Sequence, residues 1–193
     1  VDAYAPSITM LGTIPYITWY EGGWSKWADV GSNQTKDSVF VAHWDESSLS
    51  WILDPNTALD HGALNTAYKA DAINPKITVI DGKVYVAFAE YFSATRKIRV
   101  VVKRLDGGSW TQIGSPIFVT GGTTENFIIN VDLVNVGGVP YVAWSEFGSG
   151  VPQTNSSAWV YKFDGTAWQR VVGAVNKDLV NGNTNYVARG FCK

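Results

Sequence analysis

The chain of 193 residues is poor in cysteine, in charge and in long apolar runs. Cys192 is the only cysteine, so no disulfide can form within the chain. Charged residues make up 17%, the formal net charge is −2 and no basic stripe occurs, so we expect no nucleic-acid partner. No run of about 18 apolar residues is present, and we expect no membrane span. Hydrophobic residues still account for 46%, which suits one globular domain with a real core.

Signals of metal or cofactor chemistry are equally scarce. His43 and His61 are the only histidines, and neither has a partner at a metal-ligand spacing, so we expect no metal site. The glycines fall in turn dipeptides and form no phosphate-binding or dinucleotide-binding loop. We therefore expect no cofactor.

The sequence contains one motif that is repeated three times. Its copies are Pro15–Glu21 (PYITWYE), Val84–Glu90 (VYVAFAE) and Pro140–Glu146 (PYVAWSE), and they are followed by Trp51, Trp110 and Trp168 respectively. Short β-rich runs separated by Asp-Gly and Gly-Gly turns surround each copy. A recurring unit of this size buries its apolar surface against its own copies. The sequence therefore predicts an all-β chain, a β-propeller segment of three four-stranded antiparallel blades.

The single propeller segment is predicted to cover residues 1–193, with blades at about 6–53, 75–114 and 128–173 and a C-terminal connector at 174–193. The second strands lack strict polar alternation, which is typical of strands buried on both faces between neighbouring blades. A solvated β-sandwich is the structural alternative, and it predicts cleaner alternation.

Three blades are fewer than the roughly four to eight of a closed propeller. Both ends of an open arc would expose a large apolar face. Either the chain is a piece of a longer product, or two copies close a six-bladed ring about a two-fold axis. We expect self-association as a homodimer, and the two explanations are compatible.

Two stretches resemble known propeller families. Val102–Trp110 (VKRLDGGSW) and Val160–Trp168 (VYKFDGTAW) are similar to kelch-like repeats and to sialidase-like repeats with a degenerate Asp-box. The Asp-box reads Ser/Thr-x-Asp-x-Gly-x-x-Trp, whereas this chain has Asp-Gly-x-x-Trp, one residue short. Kelch repeats carry a double glycine where this chain has glutamate. The resemblance implies the propeller fold, and only weakly a sialidase-type activity.

The candidate ligand-binding residues fall into two groups. Glu21, Glu90 and Glu146 close the three second strands and are predicted to point toward one rim, where acids could bind glycan hydroxyls or a cation or act in acid–base chemistry. Their recurrence in every blade favours a structural alternative, in which each carboxylate accepts backbone N–H bonds from the adjacent connector. The second group comprises aromatic residues of the following loops, which could stack on a ligand or be buried locally: Trp24, Trp27, Tyr91, Phe92 and Phe147.

These features predict a non-catalytic recognition module, extracellular or periplasmic, that binds a glycan through its loop-rich face. A divergent sialidase-like or glycosidase-like hydrolase is the alternative, and a protein-interaction scaffold is the third possibility.

Overall fold

A computed structural model describes residues 2–24, 36–54, 62–66, 70–92, 97–118, 127–147 and 156–172. Within these ranges the chain forms thirteen strands: β1 (Asp2–Leu11), β2 (Ile14–Trp24), β3 (Lys36–Asp45), β4 (Ser50–Leu53), β5 (Ala70–Ile80), β6 (Lys83–Phe92), β7 (Lys97–Asp106), β8 (Ser109–Gln112), β9 (Ile117–Phe118), β10 (Phe127–Val136), β11 (Val139–Phe147), β12 (Ser156–Phe163) and β13 (Trp168–Val172). The same ranges contain no helix that is long and apolar enough to cross a membrane.

The strands form three antiparallel sheets in chain order, and the predicted three-bladed propeller segment is confirmed. Blade 1 has the order β1-β2-β3-β4, blade 2 the order β5-β6-β7-β8 and blade 3 the order β10-β11-β12-β13. Blade 2 gains a short fifth strand, because β9 pairs with Arg99 and Val100 of β7. The four-residue β8 covers only part of β7, which leaves this stretch of edge open to β9.

The first strands begin earlier than their apolar pattern indicates, because each contains a β-bulge. In β5 the pairing with β6 starts at Ala70 and its register shifts between Ile73 and Lys76. Asn74 lies in this bulge with φ of 52° and is followed by a proline, and Ala5 in β1 repeats the arrangement with φ of 48°. A left-handed residue before a proline interrupts the two-residue period, so the part of the strand upstream of it is not evident from periodicity.

The blades pack face to face, and blade 2 is buried on both sides. One apolar cluster joins blades 1 and 2, and another joins blades 2 and 3. Successive residues of β6 enter the two clusters in turn, with Val84, Val86 and Phe88 packing on blade 1 and Tyr85, Ala87 and Ala89 on blade 3. This double burial explains the missing polar alternation and does not fit a solvated β-sandwich.

A tryptophan of each later blade donates its indole N–H to the blade before it. Trp110 donates from Nε1 to the carbonyl oxygen of Asp54 at 3.2 Å, and Trp168 donates to that of Ile113 at 2.9 Å. Asp54 lies three residues after Trp51, and Ile113 lies three residues after Trp110, so the two bonds are equivalent by the repeat. We refer to this indole-to-carbonyl bond as the blade latch.

Gly114 makes room for the second latch. Its φ is 64°, and a Cβ at this position would lie 2.8 Å from Cδ1 of Trp168. Gly107, in the β7–β8 turn, has a similar φ of 57° but open space around the same point. The two glycines therefore differ in packing and not in backbone conformation.

We expect Gly114→Ala to lower the free energy of unfolding by about 2–5 kcal/mol. The change combines a left-handed backbone penalty of about 1–2 kcal/mol with overpacking of about 1–3 kcal/mol against Trp168. Gly107→Ala carries the backbone penalty alone and is the matched control. Urea denaturation of both variants measures the difference, and equal losses would contradict the close packing of Trp168.

Lys103 of β7 is an unusual buried charge, with 5% of the residue exposed. Burial lowers the pKa of its ammonium group to about 8, although the charge of Glu90 acts in the opposite direction. The unfolded chain keeps this proton up to its ordinary pKa of 10.5. Between these two values the unfolded state binds more protons than the folded state, so the stability of the protein rises with pH.

We expect Lys103→Met to remove this rise between pH 8 and 10.5. At pH 7 the variant should gain up to roughly 3 kcal/mol, because the folded state no longer holds a buried ammonium group. Urea denaturation of both proteins across this pH range gives the comparison. A loss of stability at pH 7 would mean that the ammonium group makes a net stabilising contact.

Candidate functional site

Acidic residues collect at one edge of the sheets. The first strand begins, the second ends and the third begins at this edge, so Asp2, Glu21 and Asp37 lie there in blade 1. Asp71 and Glu90 are at the same edge of blade 2. We call this the upper edge, and the connector from blade 1 to blade 2 arrives at it.

Glu90 is fully buried, and its carboxylate is held by four hydrogen bonds. Arg99 donates to Oε2 from Nε at 3.0 Å and from Nη2 at 2.7 Å. Thr66 donates its backbone N–H to Oε1 at 2.6 Å and its hydroxyl to Oε2 at 2.5 Å. The same hydroxyl accepts a bond from Nη2 of Arg99. Since Thr66 belongs to the connector, Glu90 ties the connector to blade 2, which is the arrangement described by the structural alternative.

Asn65 anchors the same connector to the neighbouring strands. Its Oδ1 accepts the N–H of Val39 at 3.1 Å, and its Nδ2 donates to the carbonyl oxygens of Asp37 at 3.0 Å and Ala70 at 2.7 Å. One amide thereby joins the start of β3 to the start of β5. The connector thus fixes the upper edges of blades 1 and 2 beside each other.

For the other two repeated glutamates the structure describes fewer contacts than for Glu90. Glu21 is half-buried, and its Oε1 accepts the indole N–H of Trp19 at 2.9 Å. Glu146 lies near the end of β11, but its side chain is outside the described part. Ligand binding by the three glutamates stays a prediction.

The predicted loop aromatics are only partly within the described residues. Tyr91 is half-buried and pairs with Asp71 across β5 and β6. The side chains of Trp24, Phe92 and Phe147, at the ends of their strands, lie outside the described part, and so does the whole of Trp27. Their role as ligand contacts stays a prediction as well.

The structure assembles a group at the upper edge that the sequence analysis did not identify. We call it the inner cluster, and it consists of Asp2, Tyr4, Tyr20, Asp37 and Asp71. The hydroxyl of Tyr4 donates to Oδ2 of Asp2 at 3.2 Å, and the rings of Tyr4 and Tyr20 stack with their centroids 5.3 Å apart. The backbone N–H of Asp37 donates to Oδ1 of Asp71 at 3.2 Å, so the cluster bridges blades 1 and 2.

The pKa values of both phenols of the inner cluster are raised. The hydrogen bond to Asp2 is the main cause that raises the pKa of Tyr4. Burial raises the pKa of Tyr20, and the charge of Asp37 adds to the effect. Gly22 permits this crowding, because a Cβ there would lie 3.2 Å from Oδ1 of Asp37. The cluster therefore combines carboxylates with neutral hydroxyl donors.

A signal in the sequence could have revealed the two inner aspartates. Asp2–Thr9 (DAYAPSIT) and Asp71–Thr78 (DAINPKIT) share Asp, Ala, Pro, Ile and Thr at the same positions. Both aspartates precede the bulge on the first strand of a blade, the strand nearest the axis of a propeller. Blade 3 lacks the motif, since β10 begins at Phe127 with no aspartate there. The sequence did not predict a strand over this segment, because the bulge interrupts the two-residue period of the strand.

His43 takes no part in the inner cluster. Its Nδ1 lies 2.8 Å from Oδ2 of Asp54, and its ring packs against Tyr16 with the centroids 5.5 Å apart. Burial raises the pKa of both Asp54 and Tyr16. This group sits between blades 1 and 2, beside the carbonyl that receives the first blade latch, while His61 lies outside the described residues. Across the described ranges no group of three His, Cys, Asp or Glu residues is placed to hold a metal ion.

The contacts of Glu90 predict a large effect on stability. We expect Glu90→Gln to cost about 3 kcal/mol or more, because it removes the fully buried counter-charge of the half-buried Arg99. Glu21→Gln is the matched control at the same position of the repeat. It should cost less than about 1 kcal/mol, since that carboxylate is only half-buried. Urea denaturation compares the two variants, and similar losses would contradict the special role of Glu90.

No protein-family model and no curated protein matches the chain. Several solved structures do match it. The α-L-arabinanase of Penicillium chrysogenum complexed with arabinobiose has a TM-score of 0.60 at 12% identity, over 89% of this chain and 49% of its own. A thermostable family-43 glycoside hydrolase has a TM-score of 0.56 at 16% identity, over 89% and 55%. The GH32 β-fructofuranosidase BmSUC1 of Bombyx mori has a TM-score of 0.56 at 14% identity, over 88% and 36%.

At these identities the matches show the fold, and the chain spans about half or less than half the length of most of these structures. They agree with a propeller of the sialidase-like kind in the broad sense of glycoside hydrolase propellers, whereas kelch-like similarity is not shown. The main functional expectation, a non-catalytic recognition module, was wrong, because the neighbours favour the glycosidase-like alternative.

Proposed function

We propose that the chain is part of a propeller that hydrolyses glycosidic bonds and that the inner cluster supplies acidic groups of its active site. The observation that carries the proposal is the position of Asp2 and Asp71. Each lies within the first two residues of the first strand of its blade, in adjacent blades, on a fold that glycoside hydrolases share. The motif is absent from blade 3, and such asymmetry suits a site better than a repeated structural contact does.

Two carboxylates meet the chemical need of glycoside hydrolysis. One carboxylic acid protonates the oxygen of the leaving group, and the second carboxylate acts as base or nucleophile on the other face of the sugar. The backbone N–H of Asp37 orients Asp71, and the hydroxyl of Tyr4 orients Asp2. Glu90 suits neither role, because four hydrogen bonds and complete burial occupy it.

The tyrosines of the inner cluster suit a sugar substrate. Tyr4 is 46% exposed. Its ring stacks on the ring of Tyr20, which holds it in place. An aromatic face of this kind packs against the C–H groups of a sugar ring, while the hydroxyl binds polar groups. The arabinanase neighbour was solved with arabinobiose, and a variant of BmSUC1 was solved with sucrose, so oligosaccharides of arabinan and sucrose are the first substrates to test.

The proposal predicts that Asp2→Asn and Asp71→Asn each lower kcat/KM by about 100-fold or more, because each removes an ionisable group from the reacting centre. Release of reducing sugar from arabinan and from sucrose is the readout, alongside thermal denaturation to show that the variants are folded. Asp81→Asn is the matched control. It is the same substitution at an exposed turn, at a left-handed position that asparagine tolerates.

Unchanged activity in the Asp2 and Asp71 variants of an active protein would contradict the assignment of these residues. Absence of hydrolysis by the unaltered protein on all glycosides tested would contradict the hydrolase function itself.

A further inference from the structure

Asn65, in the connector between blades 1 and 2, joins backbone groups of both blades through its buried amide. The residue is 3% exposed. Its amide accepts the N–H of Val39 and donates to the carbonyl oxygens of Asp37 and Ala70. One amide supplies an acceptor and two donors, whereas an ionised carboxylate supplies no donor and a hydroxyl supplies only one. The position therefore requires an amide side chain.

The carbonyl groups that Asn65 binds lie at two aspartates of the inner cluster. One belongs to Asp37 itself, and the other belongs to Ala70, the residue before Asp71. Asp37 in turn donates its backbone N–H to Oδ1 of Asp71 at 3.2 Å. These contacts form a closed circuit from the connector through the start of β3 to the start of β5. The amide thus fixes the backbone of Asp37 relative to the carboxylate of Asp71.

Other groups attach the connector on both sides of Asn65. Leu64 is fully buried in the cluster shared by blades 1 and 2, and its N–H donates to the carbonyl oxygen of Val39 at 2.8 Å. Thr66 is bound through its backbone N–H and its hydroxyl by Glu90. Attachment of the connector therefore does not depend on Asn65. What Asn65 adds is the link between the starts of the two strands that carry the acids.

The next contact between blades has an apolar residue at the equivalent place. Leu64 bonds to Val39, and Ile117 of β9 pairs with the equivalent residue of β7. The residues that follow, Asn65 and Phe118, therefore occupy the same position in the repeat. A phenylalanine side chain has no hydrogen-bonding group, and β10 of the following blade has no aspartate at its start. The amide is present beside the two acids, and an apolar ring is present where the acids are missing.

We propose that Asn65 is the positioning residue of the inner cluster. Through the carbonyl groups of Asp37 and Ala70 it holds the carboxylate of Asp71 in the orientation that the reaction uses. The proposal rests on the hydrolase function proposed above, because Asp71 is one of the two acids assigned to the reaction. Asn65 acts through the backbone, since its buried amide is occupied by backbone groups.

The kinetic test compares kcat and KM of Asn65→Ala with those of the unaltered protein on arabinan oligosaccharides and sucrose. We expect kcat to fall by about 10- to 100-fold, because a displacement of about 1 Å at a reacting group has an effect of this size. KM should change little, because Asn65 does not bind the substrate. Thr66→Val is the matched control in the same connector. It removes the hydroxyl bonds to Glu90 and Arg99, and it should lower the stability and leave kcat unchanged.

A second measurement does not depend on activity. The NMR chemical shift of the Asp37 backbone amide, followed through an acid titration, should respond to protonation of Asp71, because that carboxylate accepts its N–H. Asp71→Asn identifies this part of the response by removing it. We expect the response to be lost in Asn65→Ala and to persist in Thr66→Val. Asn65→Asp keeps the size of the side chain and its acceptor but loses both donors, so it replaces Asn65→Ala in both measurements if the alanine variant does not fold.

An Asp37 amide that still responds to Asp71 in a folded Asn65 variant would overturn the positioning role. Equal losses of kcat in the Asn65 and Thr66 variants would overturn it too, since the cause would then be general destabilisation. Failure of both Asn65 variants to fold, while Thr66→Val folds, would mean that the whole fold requires Asn65 and would also overturn it. Absence of hydrolysis by the unaltered protein would contradict the proposed function alone, because the amide response is measured without substrate.

Discussion

The structure depends on one constraint, which is that every blade has two apolar faces and needs a neighbour on each. Blade 2 meets this requirement fully, because β6 sends alternate residues into the clusters shared with blades 1 and 3. The blade latch gives the stacking a fixed register, since an indole N–H at the contact between two sheets needs an acceptor and the preceding blade supplies it at the same place twice. Burial supplies most of the stabilisation, and the latch specifies which arrangement forms.

The same stacking places the candidate site. The connector between blades 1 and 2 is held by Asn65 and by Glu90, and it brings the starts of β3 and β5 together. Asp37 consequently reaches Asp71, and the inner cluster forms across the joint between two blades. A site of this kind uses rigid strand ends for its acids.

Much of the fold could be predicted from the sequence, because the motif around Tyr16, Tyr85 and Tyr141 recurs and hairpin turns separate the strands on either side of it. The candidate site was less accessible for two physical reasons. A left-handed residue before a proline interrupts the two-residue period near the start of β1 and β5, so Asp2 fell before the predicted blade 1 and Asp71 between the predicted blades 1 and 2. The glutamates stood out because they repeat, yet Glu90 makes a structural contact that no local pattern distinguishes from a functional one.

The central claim is that equivalent latches fix the stacking of the blades. Hydrogen exchange of the indole N–H groups, followed by NMR and assigned with Trp→Phe variants, tests it most directly. The account predicts that the indole protons of Trp110 and Trp168 exchange as slowly as the backbone amides of β6, because both require the blades to separate. Exchange of either proton at the rate of a solvent-exposed indole would contradict it.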